Sequence, residues 1–201
     1  MNVETDQRRK QTVQDFARFS ALAWINKLAP EPLPHGLQDE YVAIFDKLSS
    51  TLPDSLRSLI DTARQDLCLI FGPDFPIALH HGDILENNIN VEEATGHITG
   101  IVDWSDAFIA LLGLLISGME ILLGVQDWHL HPSHVDLRQQ FWDIFYSEIG
   151  EVSEVNKRSI KVARLMGLIR AHGFEENGML EVYFERLISL SKSGEQYCGE
   201  R

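Results

Sequence analysis

Cysteine is nearly missing from this sequence: Cys68 and Cys198 are the only two in 201 residues. Two thiols so far apart supply neither a disulfide framework nor the paired spacing of a zinc site. No secretory leader is read either, so a reducing, cytoplasmic setting is expected. Positive charge is scarce as well. Seventeen Lys and Arg stand against thirty Asp and Glu, a formal net charge of −13. That balance argues against nucleic acid and anionic membrane as partners. It is compatible with a cationic substrate, although acidic surfaces more often simply keep a protein soluble.

Long apolar runs are absent, with one exception. Residues 107–125, AFIALLGLLISGMEILLGV, carry Glu120 as their only charge. Asp103, Asp106 and Asp127 flank the run with no Lys or Arg nearby, and Gly113, Gly118 and Gly124 interrupt it. This is the wrong dressing for a membrane span, and a buried helix beneath a functional site is expected instead. Hydrophobic content of 44% and charged content of 23% are ordinary for a soluble globular chain long enough to bury a core. Neither an internal repeat nor a low-complexity tract occurs.

What is present reads mainly as helix. Residues 1–11 are polar and expected to be a flexible N-terminus, 12–192 a single domain, and 193–201 a C-terminal tail. Phe16, Phe19, Leu22, Ala23 and Trp24 mark one buried face between Thr12 and Leu28. The cluster Pro30, Pro32, Pro34, Gly36 makes a loop. Leu37, Tyr41, Ile44, Phe45 and Leu48 then keep helical spacing, and Leu56 to Ile70 mark a third helix opened by Pro53. Ser133 with Asp136 forms a capping box for a helix to Ile149 that turns Leu137, Phe141, Ile144 and Phe145 inward. Glu154 to Ala171 is another, with Ile160, Ala163, Met166, Leu168 and Ile169 inward and Gly173 past its end. A final helix is placed near Leu180 to Leu190. His129, His131 and His134 are irregularly spaced and lack an acidic or thiol partner, so they read as loop and helix-start residues rather than metal ligands.

The chemistry concentrates in 76–107, PIALHHGDILENNINVEEATGHITGIVDWSDA. Ile77 to Leu79, Ile89 to Val91 and Ile98 to Val102 read as strands, with Glu92 to Gly96 as a hairpin turn. Folded so, His81, Asp83 and Asn88 come close to Asp103. That set suits phosphoryl transfer: Asp83 as base for a hydroxyl nucleophile, with Asn88 and Asp103 as oxygen ligands for Mg²⁺ on nucleotide phosphates. Positioning and charge neutralisation do most of the work in such a reaction.

H-G-D-I-L-E-N-N at 81–88 followed by I-V-D-W at 101–104 resembles the aminoglycoside phosphotransferase and choline kinase group of kinase-like enzymes. Members carry H-G-D-x-x-x-x-N as the catalytic loop and an I-D-W-type element as the metal-binding Asp. The segments GLLISGMEILLG and LRQQFWDIFY look like the fungal branch, and the resemblance runs from about Phe16 onward. It implies an α+β, mostly helical fold: the C-terminal lobe of the protein-kinase-like fold with a small catalytic β-hairpin. It also implies ATP and Mg²⁺ as cofactors and a small-molecule substrate. His81 becomes a scaffold residue that hydrogen-bonds within the catalytic loop. His80 reads as core or strand edge, and Asp106 as a cap for the next helix rather than a second acid. Glu86 stands where relatives often carry proline.

A complete enzyme of that kind resembles two lobes, the smaller supplying a strand-rich cover and a strand lysine that pairs with the phosphates. No Gly-rich loop precedes His81, and the lysines there are Lys10, Lys27 and Lys47, none in a strand context. The N-terminal lobe is therefore expected to be missing, and nucleotide binding weak unless another chain supplies or replaces it. Three functions remain open: an impaired or partner-dependent phosphotransferase, a pseudokinase that binds without transferring, and a cleft repurposed for nucleotide-independent acid/base chemistry.

Overall fold

A computed structural model describes residues 3–28, 36–51, 54–72, 75–124 and 130–172. Helix α1, Val3–Ile25, turns Val13, Phe16, Ala17, Ser20 and Ala21 inward at the three- and four-residue spacing of one helix face. That face lies on α6, His134–Ile149, with Phe16 6.3 Å from Phe141 and Trp24 6.4 Å from Phe145 between ring centroids. Burying each such aromatic stabilises the pair by about 2–3 kcal/mol. The helix expected from Thr12 begins at Val3, so the first residues expected to be a flexible terminus are helical from there. Tertiary contact is the reason. The Arg9 guanidinium donates to the Leu122 and Gly124 carbonyls at 3.0 and 2.9 Å, anchoring a polar segment that has no apolar face of its own.

Helices α2, Leu37–Thr51, and α3, Asp54–Asp66, pack as a pair through Tyr41, Phe45 and Leu48 against Ile60 and Ala63. A 3-10 turn over Leu67–Phe71 prolongs α3 and meets α7, Glu154–His172, where Arg158 pairs with Asp66. Strand β1, Ile77–His80, pairs antiparallel with β4, Phe108–Leu111, in the register Ile77↔Leu111 to His80↔Phe108. Between them, β2, Ile89–Val91, and β3, Ile98–Ile101, form a second two-stranded antiparallel ribbon with a register shift at Asn90/Val91. The described residues are thus mostly helical with two small ribbons, the α+β class expected.

The single helix expected over 107–125 is corrected. Its early part is β4, followed by α4, Gly113–Ser117, and α5, Met119–Leu123, broken at Gly118. Phe-Ile-Ala-Leu fits either period, and the β1 edge decides it. The glycines serve packing: a Cβ on Gly113 would lie 2.1 Å from the Ala163 backbone of α7, and one on Gly167 2.7 Å from the Gly113 carbonyl. The expected capping box is corrected too. Ser133 occupies the N-cap at φ −90 and ψ 17, outside the extended conformation that turns a capping side chain onto the helix amides, and it makes no side-chain bond there. Leu22, expected inward, is exposed. The helix placed near Leu180 to Leu190, with Cys198, lies outside the described residues. No described helix is long and apolar enough to cross a membrane.

Glu120 of α5 is buried between two arginines. Arg138 of α6 donates from Nη2 to Oε2 at 3.1 Å, and Arg164 of α7 pairs with Oε1 while lying over the Trp142 ring. Three helices are therefore joined through one carboxylate in the core.

Candidate functional site

The loop from His81 to Asn88 leaves β1 and re-enters the fold as β2. His80, buried at the end of β1, accepts the Gly82 N–H on Nδ1 at 2.8 Å. Gly82 has φ +87, and a Cβ there would lie 2.3 Å from the Asp106 carbonyl oxygen. Only glycine meets both demands. Its turn aims His81 inward and leaves Asp83 exposed.

His81 is fully buried and joins the two halves of the site. Its Nε2 lies 2.6 Å from the Val102 carbonyl, and its Nδ1 3.3 Å from the Asp83 backbone N–H. A carbonyl only accepts and an amide N–H only donates, so Nε2 carries the proton and Nδ1 is the acceptor. The ring also meets Trp104 edge-on at 4.7 Å.

Asn88 touches Asp83 directly. Its Nδ2 donates to the Asp83 carbonyl at 2.8 Å and to Asp83 Oδ2 at 3.2 Å. Because the carbonyl only accepts, the amide nitrogen must face it, and Asn88 Oδ1 is left pointing elsewhere. The other wall is built by the ribbon. Val102 N–H donates to the Asn88 carbonyl at 2.9 Å, which sets Asp103 one residue beyond that junction. Asp103 has φ +62, the left-handed conformation that Asp tolerates better than most residues. Its Oδ1 accepts the Ser105 hydroxyl at 2.9 Å. Asp83, Glu86, Asp103 and Asp106 are all exposed, so the mouth of the loop is acidic.

The donor set suits a hard cation that keeps part of its water shell. Two side chains with open oxygens, Asn88 Oδ1 and Asp103, match a site where Mg²⁺ takes one or two protein ligands and the rest from water and phosphate. Among the described residues no group of three or more His, Cys, Asp or Glu forms a metal cage, so a cation held here would take most of its ligands from water.

His81, Asp83, Asn88 and Asp103 are thus gathered around the base of one ribbon. Asp106 does not cap a helix, contrary to expectation, because the next element is β4; its carbonyl packs under Gly82 instead. His131 is buried, with Nε2 3.4 Å from Asp6 Oδ1, and His134 opens α6, while His129 lies outside the described residues. Sequence reasoning passed over Trp104, which sits on His81 and donates from its indole N–H to the Ile101 carbonyl at 2.7 Å. Its position directly after Asp103 was the available signal.

The family model described as Phosphotransferase enzyme family (APH) matches residues 4–113, more than half of the chain and all of the loop and ribbon. No curated protein matches. Among solved structures, the gentamicin–APH(2")-IIa complex is similar at 15% identity with a TM-score of 0.44, over 90% of this chain and 62% of that one. The chain therefore spans less than two thirds of the length of that structure.

Proposed function

The chain belongs to the phosphotransferase enzyme family, and from that premise we propose that it transfers a phosphoryl group from Mg²⁺-ATP to a hydroxyl of a small molecule. Asp83 is the base that takes the hydroxyl proton. The observation that carries this reading is the Asn88 clamp, which holds the exposed Asp83 carboxylate by one oxygen at 3.2 Å and leaves the other for a substrate proton. A general base of this kind contributes about 10²–10⁴ in rate. His81 fixes the loop from behind through Asp83 N–H and Val102 C=O. Asn88 Oδ1 and Asp103 would hold Mg²⁺, which when bound neutralises charge on the phosphate oxygens.

Lys10 lies in α1, Lys47 in α2 and Lys27 just past α1, so none of the lysines before the site is on a strand. In this reading the cover over the phosphates and its lysine come from another chain or segment. The same observation favours a second reading, a pseudokinase that binds without transferring. Losing three charge-assisted bonds at about 1.5–3 kcal/mol each slows transfer by orders of magnitude.

The test is ATP turnover with Mg²⁺ against a panel of small-molecule alcohols, comparing the chain with Asp83→Asn. Transfer that falls by about a hundredfold or more in Asp83→Asn supports the base assignment. Turnover untouched by that change overturns it. Nucleotide binding lost in Asp103→Asn, without transfer by the parent chain, selects the pseudokinase.

A further inference from the structure

A two-stranded ribbon is marginally stable by itself in water. The β2–β3 ribbon has three and four residues in its strands, a register shift, and no third strand among the described residues. Its shape must therefore be set by what holds its two ends. The base end is closed by Val102 N–H on Asn88 and by Ile89 opposite Ile101. The turn end is held by α1. Asp15 Oδ2 accepts the Ile98 N–H at 3.1 Å and His97 Nδ1 lies 2.8 Å away, while Thr12 Oγ1 donates to the Gly96 carbonyl at 2.7 Å. Gly96 has φ +80 and lies so close that a Cβ would be 2.2 Å from the Arg8 carbonyl oxygen. Residues 8, 12 and 15 share one helix face, so the turn is seated along a single stripe of α1. Asp15 is tied down in turn by Gln11 at 3.0 Å and Arg18 at 3.2 Å on Oδ1.

We propose that Thr12 and Asp15 are positioning residues for the site: by latching the ribbon's turn to α1 they set how Asn88 and Asp103 face each other across its base. Asn88 enters β2 and Asp103 leaves β3, so any change in the ribbon's twist moves one against the other. The inference rests on Asn88 and Asp103 as metal holders. It adds that their spacing is controlled from the turn, about 13–17 Å along the strands at roughly 3.3 Å per residue.

The test titrates the full chain with Mn²⁺ alone, read by electron paramagnetic resonance, with amide hydrogen exchange over 89–102 measured in parallel. Asp15→Ala and Thr12→Val are expected to weaken Mn²⁺ binding about tenfold, the low end for outer-shell partners of a metal. Exchange over the ribbon should quicken in both, and Asp15→Asn, which keeps an acceptor oxygen, should restore part of the affinity. Lys157→Ala, which removes an exposed charge of α7 paired with Glu154, and Ile160→Val, a core truncation in α7, control for charge and for global stability. Both should leave affinity within about twofold of the parent, as outer-shell losses are confined to groups that orient the ligands. Parent-like Mn²⁺ binding in Asp15→Ala and Thr12→Val overturns the latch while leaving the metal assignment standing. No Mn²⁺ binding by the parent chain, or binding that Asp103→Asn does not reduce, overturns the metal assignment, and the latch with it.

Discussion

Truncating Glu120 to Ala should be the most damaging single change in the helical body. The carboxylate is 2% exposed and meets Arg138, itself buried, and Arg164, whose side chain is 12% exposed, so two positive charges share one negative. Removing it leaves two guanidinium groups in the core with nothing to compensate them. Breaking a buried pair in this way costs about 3–5 kcal/mol, a large part of the roughly 5–15 kcal/mol that holds a domain folded. For a chain of this size the melting temperature should drop by about 6–20 °C. Urea unfolding followed by tryptophan fluorescence measures it, with calorimetry as a second probe. Replacing the whole network, Glu120→Leu with Arg138→Met and Arg164→Met, should recover most of the loss, because the charges leave together. Burial pushes the Glu120 carboxyl up, but Arg164 and Arg138 pull it further down, so its pKa lies below the usual range. Its contribution is therefore complete above about pH 4.3, the unfolded value, and fades as pH falls through the folded one. A loss under about 1 kcal/mol in Glu120→Ala would refute the reasoning, since that is the scale of an exposed pair.

Other consequences are open to direct measurement. Gly113→Ala should lower the urea midpoint by about 1–3 kcal/mol equivalent, because the added methyl meets the Ala163 backbone and α4 must move off α7. His81→Phe removes the partners of the Val102 carbonyl and the Asp83 N–H; stability should fall by about 1–2 kcal/mol and the Asp83 amide should exchange faster. Burial raises the Asp15 carboxyl, but hydrogen bonds from His97, Ile98 and Gln11 outweigh it and hold the pKa below its ordinary value. Asp15→Asn should thus be less stable than the parent chain at neutral pH. The gap between their urea midpoints should close as pH falls below about 4.

Local signals were legible and distant ones were not. The H-G-D-x-x-x-x-N spacing, the turn at 92–97 and the helices at 37–51, 134–149 and 154–172 could be read from residues within a few positions of each other. β4 could not, because FIAL takes its conformation from a strand some thirty residues upstream. Nor could the role of Glu120, whose arginines lie 18 and 44 positions away. At the site, residue types were readable but their orientation was not. Which nitrogen of His81 carries the proton, and which way the Asn88 amide faces, follow from backbone groups of Val102 and Asp83 that no pattern announces. The anchoring of the ribbon by Asp15 left no trace in the sequence for the same reason, since its partners His97 and Ile98 lie 82 and 83 residues on.

The seating of α1 on α6 has a bearing on synthesis. Arg9 is 115 residues from its acceptor on Gly124, and Phe16 and Trp24 are covered by rings later still in the chain. At roughly 5–20 residues per second, α1 waits roughly 6–25 s on the ribosome before α6 emerges. For that interval the face of α1 that meets α6 lacks its cover, while Phe75 and Trp104, made earlier, already reach Trp24 and Phe19. The core closes only when α6 and α7 have been made.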